Sequence, residues 1–349
     1  MNGTETSISS ARSAFGRHAR LLAIFAACAI EALASSARAE PVTTYRGMCN
    51  ASAGIDLGSN YFVVADDDIN TLVIYRYGTP DRVGEVGLGT YLVKGDGTKQ
   101  TDLEGAARIG DRIYWIASHA SKDNGEPRPK RRRLFATRID TSGAVPTVVP
   151  LKSKPYSGLL DALASDKRFK VLTDATKTGP EEFGGFNIEG LAATEDGGLL
   201  IGFRNPLTDK KHEALVLELK NPAAVVERGA KPVFGDLASL DLGHRGIRSI
   251  ERIGGEYFIV AGPYNRGTRG DPSSRFAIYK WNRASAAPPV HWKDIEPSNF
   301  HAEGLFEIAG TRQLYLLSDD GDDNKVCKEG ADRYKLTGDK TFRGMAIDR

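Results

Sequence analysis

Apolar and polar positions alternate along most of the chain in short runs broken by Gly, Asp and Asn, the pattern of half-buried strands joined by tight turns. A three-residue block heads five of these groups: Ala53-Gly54-Ile55, Glu104-Gly105-Ala106, Glu189-Gly190-Leu191, Arg245-Gly246-Ile247 and Glu303-Gly304-Leu305. Its Gly recurs at steps of 51, 85, 56 and 58 residues, the spacing of propeller blades apart from one long step. Behind each block come an apolar strand, a turn, and a second strand rich in β-branched and aromatic residues: Tyr61–Ala65, Arg112–Ser118, Leu199–Phe203, Tyr257–Ala261 and Gln313–Ser318. Third strands are expected at Thr71–Tyr77, Arg133–Ile139, Ala214–Leu219 and Phe276–Trp281, and looser fourth strands at Thr147–Leu151 and Val290–Ile295. No amphipathic helix recurs with the repeat, which disfavours a βαβ fold. The pattern predicts an all-β chain, a β-propeller of five four-stranded blades.

The long step falls where the pattern turns helical. Between Pro155 and Lys177 the residues Leu159, Leu160, Leu163 and Phe169 fit one helix face, so a short helical insertion is expected around 156–177. A degenerate sixth blade is the alternative there. The last unit is a strand short, and Val42–Gly47 would complete it from the N-terminal side, hiding both sheet edges. In that arrangement the loops carrying Cys49 and Cys327 emerge on one face, where a disulfide would lock the ring; two unpaired buried thiols are the other reading.

Residues 1–39 read as an export signal. Arg12, Arg17 and Arg20 precede a mostly apolar run from Leu21 to Ala34, and Ala37-Arg38-Ala39 offers the small residues of a cleavage site. The expectation is cleavage after Ala39 and one propeller domain over 40–349, in the periplasm or secreted; lipid anchoring at Cys28 is the minor alternative. The apolar run is too short for a membrane span, so no transmembrane segment is expected. Of 47 basic and 45 acidic residues, four and two lie in 1–39, leaving the remainder balanced, weak ground for a nucleic-acid binder.

In a propeller the innermost strand begins, and the second strand ends, at one mouth of the central channel. The repeat therefore gathers Glu104, Glu189, Glu303, Arg245 and His301 with the second-strand exits Asp66-Asp67-Asp68, His119, Arg204-Asn205, Tyr264-Asn265 and Asp319-Asp320. Loops converge there from every blade, and ligands bind at such mouths. Three Glu side chains aimed at one axis are costly to keep charged and unpaired. Arg245 could neutralise one, and a hard cation such as calcium, held by Glu104, Glu189, Glu303 and Asp319, the others. The architectural alternative has each Glu accepting backbone N–H groups of the next blade.

Three further features stand apart from the repeat. The loop from Asp319 to Asn324 is acidic but lacks the spacing of an EF-hand. The stretch Arg128-Pro129-Lys130-Arg131-Arg132-Arg133 reads as a solvated loop or as a clamp for an anionic group such as phosphate. Asn50-Ala51-Ser52 matches a glycosylation sequon. The nucleophile elbow, the phosphate-binding loop, His-Glu-x-x-His and Cys-x-x-Cys are all missing.

The segments Asp102-Leu103-Glu104-Gly105, Tyr114–His119, Asn187–Thr194, Ile201–Pro206, Gly246–Ile250 and Leu317–Gly321 resemble the bacterial family known as domain of unknown function 3616, over nearly all of Cys49 to Ile347. That resemblance implies a bacterial origin and a propeller-like fold, and brings no activity with it. The Glu-Gly blocks are also similar to those of esterase-like phytase propellers, which would imply a calcium-assisted phosphoesterase; Ala53 and Arg245 depart from that pattern. Two functions follow. One is a binding or scaffold protein recognising a small molecule, glycan or protein at the mouth. The other is a metal-assisted hydrolase, with Arg204 and Arg245 stabilising negative charge and His119 or His301 moving protons.

Overall fold

Each predicted Gly block lies on the innermost strand of a four-stranded antiparallel sheet, and five such sheets make the computed structural model of the chain. The structure describes residues 1, 3, 41–93, 100–265, 272–321, 325–328 and 333–349, and Pro41–Arg349 forms one unit. The segment read as a signal, with Cys28, lies outside the described residues, as do Asp322, Asp323 and Asn324 of the acidic loop.

The first blade comprises β2 (Ala51–Gly58), β3 (Tyr61–Asp66), β4 (Thr71–Arg76) and β5 (Gly84–Gly87). The second comprises β6 (Leu103–Ile109), β7 (Arg112–Ala117), β8 (Leu134–Asp140) and β9 (Thr147–Pro150), and the third β10 (Asn187–Ala193), β11 (Leu199–Leu207), β12 (Ala214–Leu219) and β13 (Phe234–Leu240). The fourth runs β14 (Gly246–Ile253), β15 (Glu256–Gly262), β16 (Ala277–Trp281) and β17 (Val290–Asp294). In the fifth, β18 (Ala302–Glu307), β19 (Gln313–Ser318) and β20 (Thr337–Asp348) are completed by β1 (Val42–Gly47), which pairs antiparallel with β20. The innermost strands contact one another in chain order, β18 meeting β2 to close the circle.

Closure is reinforced twice. Tyr45, Phe62, Tyr75, Phe306, Tyr315 and Phe342 form one aromatic cluster across the first and last blades, with Tyr45 and Phe342 stacked at 5.1 Å. Cys49 and Cys327 are disulfide-bonded across a sequence separation of 278.

The long step is the expected insertion, and there is no sixth blade among the described residues. It forms the helices Leu159–Ala164 and Lys170–Ala175 around a 3-10 turn, Lys167–Phe169. Leu159, Leu160, Leu163 and Phe169 are all buried in a core shared with blades two and three. A second helix-bearing connection, Pro222–Arg228 between β12 and β13, has no counterpart in the sequence reading.

One expectation needs correcting. The innermost strands carry a β-bulge near their start, where one residue is skipped in the pairing with the second strand. The skipped residues are Ser52, Glu104, Glu189, Arg248 and Glu303. The counterparts of the three Glu residues are thus Ser52 and Arg248, not Ala53 and Arg245, and the positions that follow are Ala53 and Ser249 rather than Gly54 and Gly246. A small residue is required at Gly105 and Gly190 because the next blade presses in, and at Gly304 because Leu317 of its own blade does. A Cβ on Gly190 would meet Ile247 Cγ2 at 2.8 Å and Ile250 Cγ2 at 2.9 Å.

Candidate functional site

The five bulges direct a ring of side chains to one mouth, and all five residues are buried. Charge within this ring is uneven: three carboxylates face one guanidinium. Arg248 stands between its neighbours and pairs with both, its Nε 2.8 Å from Glu189 Oε2 and its Nη2 on Glu303. Arg204 adds a second guanidinium to Glu189, Nη1 to Oε1 at 3.0 Å, and Asn187 donates its amide to the same oxygen at 2.8 Å. Glu189 and Glu303 are therefore balanced by guanidinium groups, the role expected of Arg245, but supplied by Arg248 and Arg204. Ser52, at the same position in the first blade, donates its hydroxyl to the Leu103 carbonyl and so ties blade one to blade two. Ser249 does the equivalent between blades four and five, accepting the Leu305 N–H at 3.1 Å.

Glu104 is treated differently. Its carboxylate lies with those of Asp67 and Asp102, all three within 4.8 Å of one another. Two full charges at that separation repel by about 3 kcal/mol at an effective dielectric of about 20. Burial pushes the Glu104 carboxyl well above the usual range, Asp102, Glu189 and Asp67 raise it further, and Arg248 offsets only part of this. Burial likewise lifts Asp67 well up, helped by Asp68 and Asp66. Asp102 is better supported: Arg131 lies 3.0 Å away, and Ser118 and Gln100 donate to it, yet burial still raises it. Asp102 sits at a φ of +62°.

Around this cluster the remaining acids are engaged. Asp66 accepts the backbone N–H groups of Asn50, Asp68 and Ile69, and burial followed by Asp68 raises its pKa to about 7. Asp68 is gripped by both arms of Arg333, at 3.0 and 3.1 Å. Asp319 accepts the Gly321 N–H and pairs through its backbone with His301. Asp320 is clamped by two nitrogens of Arg343, at 2.9 and 2.6 Å, which ties β19 to β20.

The other residues read from the sequence divide. Arg245 donates to the carbonyls of Arg275, Leu242 and Gly243 and approaches the Tyr279 hydroxyl, so Arg248 and not Arg245 carries charge to the Glu residues. Asn205 donates to the carbonyls of Pro180 and Glu182, fastening the loop after the helical insertion. His301 is half-buried with its ring tilted against Phe276 at 5.9 Å. His119 is 1% exposed, and its Nδ1 bonds the Ala117 carbonyl, which can only accept, so Nδ1 carries the proton. Its Nε2 is a buried acceptor without a hydrogen-bond partner, and burial holds its pKa down at about 4. Asn187, the counterpart of Asp102 in the third blade, likewise leaves a buried Oδ1 unpaired.

Thus Glu104, Glu189, Glu303 and Arg204 lie together with Asp67 of the first second-strand exit, while Arg248, Asp102 and Asn187 join them unannounced. Arg248 and Asp102 lay inside quoted motifs but outside the expected positions, because a bulge moves a residue across the pleat without any mark in composition.

Several solved structures have a similar overall path. The chain is similar to Myxococcus xanthus glutaminyl cyclase, at 10% identity over 88% of this chain and 95% of that one, with a TM-score of 0.40. It is similar to the β-propeller domain of Myceliophthora thermophila Cps50 (Swd1), at 12% identity over 88% of this chain and 100% of that one, TM-score 0.38. A putative oxidoreductase (glucose dehydrogenase) from Thermus thermophilus gives 11% identity over 88% of this chain and 100% of that one, TM-score 0.42. The blade count rests on the strand pairing above and not on these. No curated protein matches the chain. Residues 148–294 match the family described as protein of unknown function (DUF3616), and the chain is a five-bladed β-propeller that resembles that family.

Proposed function

We propose that the chain is an extracytoplasmic binding protein whose channel mouth takes a positively charged group. The observation that carries this reading is the imbalance at the Asp67–Asp102–Glu104 cluster, three carboxylates within 4.8 Å with two of them pushed well above their usual range. The unpaired buried acceptor on Asn187, beside Glu189, leaves a further oxygen there for an incoming donor. The oxygen-only ligand set suits a hard divalent cation such as calcium, and equally an ammonium group on a small molecule, glycan or protein. Export is supported by the disulfide, which needs an oxidising compartment, and among the described residues no helix is long and apolar enough to cross a membrane. A signal over 1–39, one domain over 40–349 and periplasmic or secreted localisation complete the proposal.

The hydrolase reading has less behind it. Of its four metal ligands, Glu189 and Glu303 are engaged by Arg248, and Asp319 by its own loop. Isothermal titration with calcium, magnesium and spermidine tests the binding reading and separates its two sources. Saturable heat with any of them, lost in Glu104→Gln, is the expected result, and no binding by all three overturns it.

A further inference from the structure

Blade three ends on the mouth side in two turns that each carry a histidine. Ala214, at the start of β12, pairs with Leu207 of β11 on one side and with Leu240 of β13 on the other. The turn 208–213 and the connection 241–245 therefore leave the sheet at the same end, His212 in the first and His244 in the second. Hydrogen bonds tie both turns. Thr208 accepts the His212 N–H at its carbonyl and the Glu213 N–H at its hydroxyl, each at 2.9 Å, and Asp241 accepts the Gly243 N–H at 3.0 Å.

The two imidazoles meet across these turns. Their ring centroids are 5.3 Å apart and their planes are tilted by 46°. Phe183, from the loop after the helical insertion, packs on His212 at 5.3 Å, and Tyr264 packs edge-on against Phe183 at 6.1 Å. His212 is thus held half-buried between Phe183 and an exposed His244. Both histidines sit at positive φ, +52° and +62°. That conformation is uncommon outside Gly, although His is among the side chains enriched in it. A turn that needed only the backbone shape would be served by Gly or Asn, so a His at both places calls for a side-chain role.

The spacing fits one shared metal ion. With zinc–nitrogen bonds of about 2.0–2.1 Å and a ring nitrogen about 1.1 Å from its centroid, two imidazoles at a tetrahedral angle have centroids about 5.2 Å apart. Charge in the two turns is mixed. Asp241 and Glu213 bring negative charge beside the pair, although Glu213 also takes the Ser239 hydroxyl and lies 3.5 Å from Lys211. Arg245, next to His244, is directed to the carbonyls of Leu242, Gly243 and Arg275.

We propose that His212 and His244 form a cation site of their own, separate from the carboxylate cluster, which takes a borderline divalent metal of the zinc or nickel kind. Imidazole nitrogen suits these ions, whereas an all-oxygen set suits calcium or magnesium. Two protein ligands leave the remaining positions to water or to a donor on a bound molecule.

Titration calorimetry of the whole untagged protein with zinc and with nickel, each without and with excess calcium, tests the proposal. One equivalent of zinc or nickel binds saturably, and calcium does not weaken it. His212→Asn and His244→Asn, whose new side chain tolerates the left-handed backbone, each weaken binding by at least about tenfold. His291→Asn, which removes an exposed histidine on β17, leaves it unchanged. A melting temperature in chelator equal to that of the parent confirms that the variants fold. Absence of binding by both metals, competition by calcium, parent-like affinity in either His212→Asn or His244→Asn, or an equal loss in His291→Asn overturns the proposal.

Discussion

At the scale of single residues the mouth is governed by what surrounds each buried charge. Arg248 neutralises two carboxylates from opposite sides, so removing it strands both in a low-dielectric site. Arg248→Met is predicted to destabilise the fold by about 3–5 kcal/mol, the cost of breaking a buried pair, as read from urea unfolding. Protonation adds a pH dependence whose sign differs by group. Glu104 and Asp67 have raised pKa values in the folded chain, so their contribution is complete below the ordinary carboxylate range and is lost as pH rises through the raised values. In chelator, Glu104→Gln is predicted to be more stable than the parent at pH 8, with the difference closing at pH 4; thermal melts across pH check it. His119 acts oppositely. Its pKa is lowered from 6.5 to about 4, so its contribution is present above 6.5 and lost as pH falls towards 4, and His119→Gln should flatten that limb. Glu104, Glu189 and Glu303 were legible in the sequence because each precedes a Gly with no room for a Cβ, against the next blade at Gly105 and Gly190 and against Leu317 of its own blade at Gly304. Arg248 and Ser52 were not, since a bulge changes the register while leaving the residues around it unremarkable.

At the scale of elements, the strands were the most readable part. Alternation and turn residues placed four of the second strands to within a residue and the start of the fifth, β11, which runs four residues beyond the expected Phe203 to Leu207, and the apolar spacing of Leu159 to Phe169 exposed the insertion. Pro222–Arg228 escaped because it is too short for a clear periodicity, although Pro at its first turn and Gly229 in the left-handed conformation at its end are helix punctuation. The closing strand is the element most open to test. β1 covers the edge of β20, and the disulfide fixes the loop that follows it. Cys49→Ser with Cys327→Ser is predicted to cost about 2–4 kcal/mol without altering the strand content, as unfolding curves with matched circular dichroism would show.

At the scale of the whole molecule, the ring converts five modest repeats into one asymmetric mouth. Blades three to five present a balanced network of Glu189, Glu303, Arg204 and Arg248, whereas blades one and two bring Asp67, Asp102 and Glu104 together with too little positive charge. Fivefold repetition predicted where polar side chains gather; the departures from it decide which of them have work left to do. The most direct test of this account is the melting temperature of the protein at neutral pH, in chelator and then with calcium, magnesium or spermidine, alongside Glu104→Gln. A cation bound only by the folded chain stabilises it by mass action, so the account predicts a saturable rise of the parent's melting temperature with at least one of them, absent in the variant. An unchanged melting temperature with all three, or an equal rise in Glu104→Gln, would contradict it.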